Sequence, residues 1–253
     1  MAEAGNRVVW VTGAGSGIGR AIALAFAHTG ARVALTGRRP DALAQTAAAI
    51  GDAAVVVPAD LSDPAAVIRA HAAVEAALGP VDVLVNNAGA NDKRRHMHEL
   101  SQSTLAQVMA VNVSAPFLCS IAVLPGMRAK GAGTLIHIGS VSATSLFPAS
   151  GAAYGASKAA VNMLSAHINA ENGIHGIRSI CINPGEVATD ILDRRPFPPS
   201  AADRALMLQA DDVAAVAVFA AGLPGRATIA DMTIMPTDNQ VWRSFANRIA
   251  SKG

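Results

Sequence analysis

The short run Arg7–Val11 leads straight into Thr12-Gly13-Ala14-Gly15-Ser16-Gly17-Ile18-Gly19-Arg20, and an apolar helical pattern from about Ser16 to His28 follows, closed by Gly30. A β-branched strand, a glycine turn and a helix N-terminus in that order constrain the fold more than any other feature of the chain. Glycine tolerates positive φ in such a turn, and its lack of a side chain lets the backbone approach another group closely. The helix start behind the turn presents free N–H groups and the positive end of its dipole, a favourable seat for a phosphate. A glycine-rich turn alone also occurs as a plain loop. Its placement between strand and helix is what points to a dinucleotide pyrophosphate.

The rest of the chain repeats the same unit. Arg32–Leu35, Ala53–Val57, Val81–Val85, Thr134–Ile138, Arg178–Ile182 and Thr228–Met235 read as strands. Between them Asp41–Ile50, a segment opened by Asp63-Pro64 and stopped near Gly79-Pro80, a long stretch from about Ser103 to Lys130, Ala152–Glu171 and Asp211–Ala221 read as helices. Asp63 as N-cap with Pro64 at the first helical position is a well-formed start signal. Unbroken strand–helix alternation implies a parallel sheet with helices on both faces, an α/β architecture. The Pro-rich, polar stretch Asp193–Ser200 is expected to be a loop. No low-complexity linker interrupts the pattern, so one domain over residues 1–253 is expected.

Composition narrows the function classes. Hydrophobic residues make up 51% and charged residues 15% of 253 positions, which is incompatible with disorder. A formal net charge of +2 and short, scattered basic runs (Arg38-Arg39, Lys93-Arg94-Arg95, Arg194-Arg195) argue against nucleic acid. The last two runs are expected to be solvated surface. The two cysteines, Cys119 and Cys181, lie in apolar surroundings without metal-ligand spacing, and the seven histidines form no metal motif. They read as buried, reduced thiols, and no metal is expected. No apolar run is expected to reach the ~20 residues that span a bilayer, and the N-terminal residues do not read as a signal peptide. A cytoplasmic protein is the expectation.

Five further features occur in order. Asn86-Asn87-Ala88-Gly89 follows the fourth strand, and Asn112 lies in the long helix after it. Ser140 follows the fifth strand, Tyr154-x-x-x-Lys158 stands near the start of the next helix, and Pro184-Gly185 closes the sixth strand with Val187 and Thr189 beyond. With the T-G-x-x-x-G-x-G turn they resemble the short-chain dehydrogenase/reductase family over about residues 7 to 190. The resemblance implies a single Rossmann-like domain, doubly wound around a seven-stranded parallel sheet. It implies hydride transfer between a nicotinamide cofactor and an alcohol or carbonyl carbon, with Asn112, Ser140, Tyr154 and Lys158 as the catalytic set. It further implies that Gly13, Ser16, Gly17, Ile18, Gly19, Asp60, Leu61, Asn87, Ala88, Gly89, Tyr154, Lys158, Pro184, Gly185, Val187 and Thr189 hold the cofactor. Lys158 is implied to bind the nicotinamide ribose, and Asn112 to hold a water that links Lys158 to solvent. Homo-oligomers, tetramers or dimers, are common in the family.

Two departures stand out. The Ser140–Tyr154 spacing is one residue longer than usual, so Ser142 rivals Ser140. The stretch from Leu223-Pro224 to Pro236-Thr237 lacks the common Thr-Gly … Asp-Gly-Gly pattern and is similar to NADP-dependent members acting on serine and small 3-hydroxy acids.

Chemistry supports the assignment. Tyr154, the only tyrosine, and Lys158 are four apart and share a helix face. A neighbouring ammonium stabilises a phenolate, which suits a tyrosine to general acid/base work. A serine O–H aimed at the substrate oxygen stabilises charge that develops there. A lone Tyr-x-x-x-Lys is commonly a surface pair, Ser140 alone a strand-end cap and Asn112 alone a satisfied helix residue. Asp60 alone is a helix cap.

Gly37 stands where an acidic residue would bind the ribose 2′-hydroxyl of NAD, and Arg38 follows it. The missing carboxylate and the adjacent guanidinium favour NADP over NAD. Substrate contacts are expected from about Asn91–His98, Ser142–Ala149 and Glu186–Ser200, whose Leu146, Phe147, Ile191, Leu192 and Phe197 suit a small or medium apolar carbonyl. Arg194 or Arg195 is a further candidate for a carboxylate. The tail residues Trp242, Phe245 and Ile249 form one helical stripe that would pack on a partner subunit or on the chain's own core. A binding protein of the same fold without turnover is the alternative function.

Overall fold

The computed structural model describes residues 6–194 and 198–238. Seven strands, β1 (Val8–Thr12), β2 (Arg32–Gly37), β3 (Ala54–Pro58), β4 (Val83–Asn86), β5 (Gly133–Ile138), β6 (Ile177–Pro184) and β7 (Asp231–Ile234), form one parallel sheet in the order β3-β2-β1-β4-β5-β6-β7. Helices α1 (Gly17–His28), α2 (Pro40–Ile50), α3 (Pro64–Leu78), α4 (Gln102–Met109), α5 (Ala115–Lys130), α6 (Ala152–Asn172), α7 (Ala201–Leu206) and α8 (Ala210–Ala221) complete a single Rossmann-like α/β domain.

The sheet is buried on both faces, which is why its strands are apolar at successive positions. Strand alternation sorts those positions into two cores. Val9, Val11, Val33, Leu35, Ile136, Ile138, Ile180 and Ile182 pack with Ile22 and Phe26 of α1 and Val213 and Ala217 of α8. Val8, Trp10, Leu84 and Leu135 face the other way, onto Val67 and Val74 of α3, Cys119, Val123 and Met127 of α5, and Leu164 and Ile168 of α6. Each fully buried Val, Leu or Ile contributes about 1.5–3 kcal/mol. Trp10 is fully buried and its indole N–H donates to Thr36 Oγ1 at 2.8 Å, so its one polar atom is satisfied.

Chain order reverses at β1: β2 and β3 extend one way and β4 returns to the other side. The loops after β1 and β4 therefore leave in opposite directions and open a crevice at the C-terminal strand ends, where open α/β sheets bind ligands.

Local signals hold where they are short-range. Asp63 caps α3 by accepting from Ala65 N at 3.0 Å, with Pro64 behind it, and Gly79 closes the helix at φ 88°. Three expectations need correction. The helix from Ser103 to Lys130 is interrupted by a π-helical segment, Ala110–Ser114, between α4 and α5. The stretch Asp193–Ser200 is not wholly a loop. Asp190–Arg194 is a 3₁₀ turn, and Ser200 opens α7 with a capping box to Asp203; positions 195–197 lie outside the described residues. Contrary to expectation, the helical run Gln102–Lys130, α4, the π segment and α5 together, contains an 18-residue stretch apolar enough to span a membrane by length and composition alone. A core helix laid on a sheet meets the same criterion, and Cys119, Val123 and Met127 here are at most 2% exposed against α3 and the sheet. Trp242, Phe245 and Ile249 lie outside the described residues.

Candidate active site

The glycine turn after β1 is built for close approach. Gly13 and Gly17 have φ of 66° and 52°, and a Cβ on Gly13 would stand 2.8 Å from Asn87 Nδ2. A Cβ on Gly19 would stand 2.3 Å from Gly13 O, so this glycine lets α1 nest against the turn. The loop after β4 is laced to the same turn. Thr12 Oγ1 accepts from Asn87 N and Ala88 N at 3.0 and 3.1 Å, and Asn87 Nδ2 donates to Thr12 O at 2.9 Å. Ser16 is the N-cap of α1, yet its side chain makes no cap bond, and no acidic residue occupies the first turn. The helix start thus offers N–H groups that no side chain has taken. Thr189 covers Gly17, with Cγ2 3.2 Å from the position of a Cβ there.

At the outer end of the crevice, β2 terminates at Gly37, and Arg38, Arg39, Asp60, Leu61 and Ser62 form the walls. Arg39 Nη2 donates to Ser16 Oγ at 3.2 Å. Asp60 Oδ1 accepts from Ser62 Oγ at 2.7 Å and Ser62 N at 3.0 Å. Those bonds, and to a smaller extent the Arg38 guanidinium, hold the Asp60 carboxyl below the usual carboxylate range.

The third wall comes from β5 and α6. Lys158 is 5% exposed; its ammonium donates to Ile138 O at 2.7 Å and stands 5.6 Å from the centre of the Tyr154 ring. A lysine on α6 is thereby tied to the end of β5 and lies across the tyrosine one turn before it. Ser140 follows Ile138 and caps a 3₁₀ turn, Val141–Ala143, by accepting from Ser142 N at 3.1 Å. Ser140 N donates to Asn183 Oδ1 at 2.9 Å, which fixes the serine against β6. Both Ser140 and Ser142 line the crevice. Asn112, in the π segment, accepts from Ala90 N at 2.7 Å and donates to Ala90 O and Ser157 Oγ, each at 3.0 Å. It braces the loop after β4 against α6, with both ends of its amide engaged.

Gly13, Ser16, Gly17, Ile18, Arg38, Asp60, Leu61, Asn87, Ala88, Gly89, Ser140, Tyr154, Lys158, Pro184, Gly185, Val187 and Thr189 share one cleft of about 430 Å³. Gly19 and Asn112 do not line it; both support the residues that do. Of the expected substrate residues, Phe147, Ile191 and Leu192 line the cleft, whereas Leu146 is 93% exposed away from it, and Phe197 lies outside the described residues.

Some features were not foreseen. Arg95 is not solvated surface: it is 5% exposed and lines the cleft, because its guanidinium reaches the carbonyls of Asp92 (2.6 Å) and Ala149 (3.2 Å). Arg39, exposed at the start of α2, reaches back to Ser16 in the glycine turn, a contact the sequence did not announce. His137 is fully buried beneath the Lys158 anchor, with Nδ1 3.3 Å from Asn86 Nδ2. Burial, helped by the Lys158 charge, pushes its imidazole down to about 3. Cys119 and Cys181, by contrast, are buried and unpaired as expected, and burial raises both thiols to about 12.

Comparison with known proteins agrees with this geometry. A family model for short chain dehydrogenases matches residues 7–196. Galactitol 2-dehydrogenase (L-tagatose-forming) of Cereibacter sphaeroides is 43% identical over 184 residues, 72% of this chain and 71% of that protein. The closed form of a serine dehydrogenase complexed with NADP+ superposes with a TM-score of 0.84 at 29% identity, covering 92% of this chain and 96% of that one. A 3-ketoacyl-(acyl-carrier-protein) reductase from Brucella melitensis complexed with NADH also superposes with a TM-score of 0.84, at 28% identity over 92% of this chain and 98% of that one. A glycine turn, a buried lysine anchored beneath a single tyrosine, and a match across most of the chain lead to one conclusion: the protein belongs to the short-chain dehydrogenase/reductase family.

Proposed function

We propose that the protein is an NADP(H)-dependent oxidoreductase that interconverts a small alcohol and its carbonyl, with Tyr154 as general acid/base. The observation that carries this reading is the Lys158 ammonium, anchored on Ile138 O and 5.6 Å from the Tyr154 ring, inside the same cleft as the glycine turn. The turn fits a pyrophosphate, since Gly13 and Gly17 adopt positive φ and the start of α1 carries no side-chain cap. A bound nicotinamide supplies or takes up the hydride.

The chain's own groups do the rest. In the reductive direction Tyr154 gives its hydroxyl proton to the substrate oxygen; in the oxidative direction its phenolate removes it. Lys158 stabilises that phenolate with a charge held in place by a backbone carbonyl. Ser140 Oγ already accepts from Ser142 N, so its own proton is available to the substrate oxygen, where it offsets developing negative charge. We assign the serine role to Ser140, because the Asn183 bond fixes its backbone at the strand end. Asn112 acts by holding Ala90 and Ser157 in register, and any water it holds must bind through other atoms than those bonds use.

Arg38 and Arg39 support NADP: two guanidiniums flank the end of β2 where the 2′-phosphate would lie, and Gly37 offers no competing carboxylate. We further place the protein in the cytoplasm, on its two unpaired cysteines, and expect a homo-oligomer as in its family. The decisive test is oxidation of NADPH and NADH with a panel of ketones, aldehydes and keto acids, using Tyr154→Phe as control. Turnover that prefers NADPH and vanishes in Tyr154→Phe is expected. Turnover that survives in the variant would remove the tyrosine from the mechanism, and NADPH binding with no turnover on any carbonyl would favour a binding protein of the same fold.

A further inference from the structure

We propose that Ser142 is a second hydroxyl contact for the substrate, so that the preferred substrate carries a hydroxyl on the carbon next to the reacting one: a vicinal diol or its hydroxyketone. This deepens, and rests on, the reading of the cleft as a site of alcohol–carbonyl interconversion. Most hydroxyls of the cleft are committed. Ser62 Oγ donates to Asp60 Oδ1 at 2.7 Å, Ser150 Oγ to Phe147 O at 2.7 Å and Thr189 Oγ1 to Val187 O at 3.5 Å. Ser140 Oγ accepts from Ser142 N at 3.1 Å. Ser142 and Tyr154 differ: both line the cleft, and within the described residues their hydroxyls make no hydrogen bond to protein.

The position of Ser142 relative to the chemistry is fixed from two sides. Its N–H is held by Ser140 Oγ within the 3₁₀ turn Val141–Ala143. Its carbonyl packs on α6 at Gly155, the residue after Tyr154, where a Cβ would stand 3.2 Å from Ser142 O. A serine Oγ stays within about 4 Å of its own nitrogen in every rotamer. With Ser142 N 3.1 Å from Ser140 Oγ, the two hydroxyls are therefore at most about 7 Å apart. Oxygens on adjacent carbons bridge such a span with one hydrogen bond of about 2.8 Å to each serine. Ser140 and Tyr154 take the reacting oxygen, and Ser142 takes its neighbour. Val141 and Phe147 line the same cleft with apolar side chains. A substrate without the second hydroxyl would cover Ser142 and leave it unpaired, and a site that pairs with a substrate O–H discriminates against the analogue lacking it.

The test follows turnover and binding separately. NADPH-dependent reduction of 1-hydroxybutan-2-one and butan-2-one is compared in the wild type and in Ser142→Ala, whose backbone N–H still reaches Ser140. The wild type is expected to favour the hydroxyketone in kcat/KM by about tenfold or more, and Ser142→Ala to lose most of that ratio. Ser142→Thr, which keeps a hydroxyl, is expected to retain it. A hydroxyl also activates the neighbouring carbonyl, so the change of the ratio on substitution decides: a ratio equal in wild type and Ser142→Ala overturns the proposal. Binding of butane-1,2-diol and butan-2-ol to the full chain saturated with NADPH, followed by ligand-observed NMR, reads the same contact without chemistry. A diol preference that falls in Ser142→Ala supports it, and equal affinities in the wild type overturn it. Turnover with an unchanged ratio refutes the subsite alone. A Ser142-dependent diol preference in a protein that turns over neither ketone supports the subsite and counts against the oxidoreductase reading.

Discussion

Gly151 is the position at which backbone conformation, packing and chemistry meet most directly, and Gly151→Ala should damage all three. The residue has φ 81° and ψ 157° as N-cap of α6. That region is reserved for glycine, and forcing an L-residue into it costs about 1–3 kcal/mol. The new Cβ would also stand 2.6 Å from Arg95 O and 2.8 Å from Arg95 Cβ, both parts of a buried, hydrogen-bonded residue with no flexible end to yield. Overpacking of that kind adds about 1–3 kcal/mol. Gly51→Ala is a matched control. Gly51 has nearly the same φ, 85°, but nothing lies within 4 Å of its would-be Cβ, so it carries the backbone penalty without the collision. Urea unfolding should therefore place Gly151→Ala about 1–3 kcal/mol below Gly51→Ala. Relief of the clash must move the start of α6, and Tyr154 follows within one turn. A shift near 1 Å at a reacting group lowers turnover by about 10²-fold, whereas Gly51→Ala should leave kcat intact. Equal stability losses in the two variants, with equal turnover, would refute the reasoning.

Three further outcomes are expected. Arg38→Ala and Arg39→Ala should each raise KM for NADPH by about tenfold with little change for NADH; steady-state kinetics showing equal effects on both cofactors would exclude a 2′-phosphate contact. With both thiols pushed up to about 12 by burial, Cys119 and Cys181 should resist Ellman's reagent at pH 8 in the native protein and react together in denaturant; rapid native labelling of either would show it to be accessible. His137 has a folded value of about 3 against an ordinary 6.5, so the unfolded chain binds its proton first as pH falls. Its contribution is present above pH 6.5 and is lost down to about pH 3, at up to about 1.4 kcal/mol per pH unit. His137→Leu should flatten that part of the stability–pH curve; an unchanged slope would mean that other groups, such as Asp60, dominate.

The fold was legible where physics is local. Strand ends marked by Gly and Pro, the Asp63-Pro64 helix start and the period of Tyr154 and Lys158 involve neighbours in sequence, and the structure places each as expected. What escaped notice depends on distant partners. Arg95 belongs to a three-residue basic run that looks like solvated surface, yet its guanidinium reaches the Ala149 carbonyl, 54 positions away, a partner that no local pattern announces. Arg39 reaches Ser16 across 23 positions, a contact that no spacing rule encodes. The 3₁₀ turn at Asp190–Arg194 and helix α7 were hidden by proline content, although the Ser200–Asp203 capping box was a usable signal. Residues assigned by resemblance, such as Asn112, carry the same lesson in reverse: the motif marked the position, and the geometry shows what its side chain holds.

The π segment between α4 and α5 has an implication for how this region tolerates change. It accommodates one residue beyond the regular repeat, and each residue of an α-helix turns the chain by about 100°. α4 can therefore present its face toward α6 while α5 presents a differently phased face toward α3 and the sheet. Removing a single residue from Ala110–Ser114 would not merely shorten the helix. It would re-phase everything upstream, carrying Thr104 and Val108 out of the interior and withdrawing Asn112 from Ala90 and Ser157. By that argument insertions and deletions should be scarcer across Ala110–Ser114 among related sequences than substitutions on the exposed face of α5, although of that segment only Val111 lines the cleft.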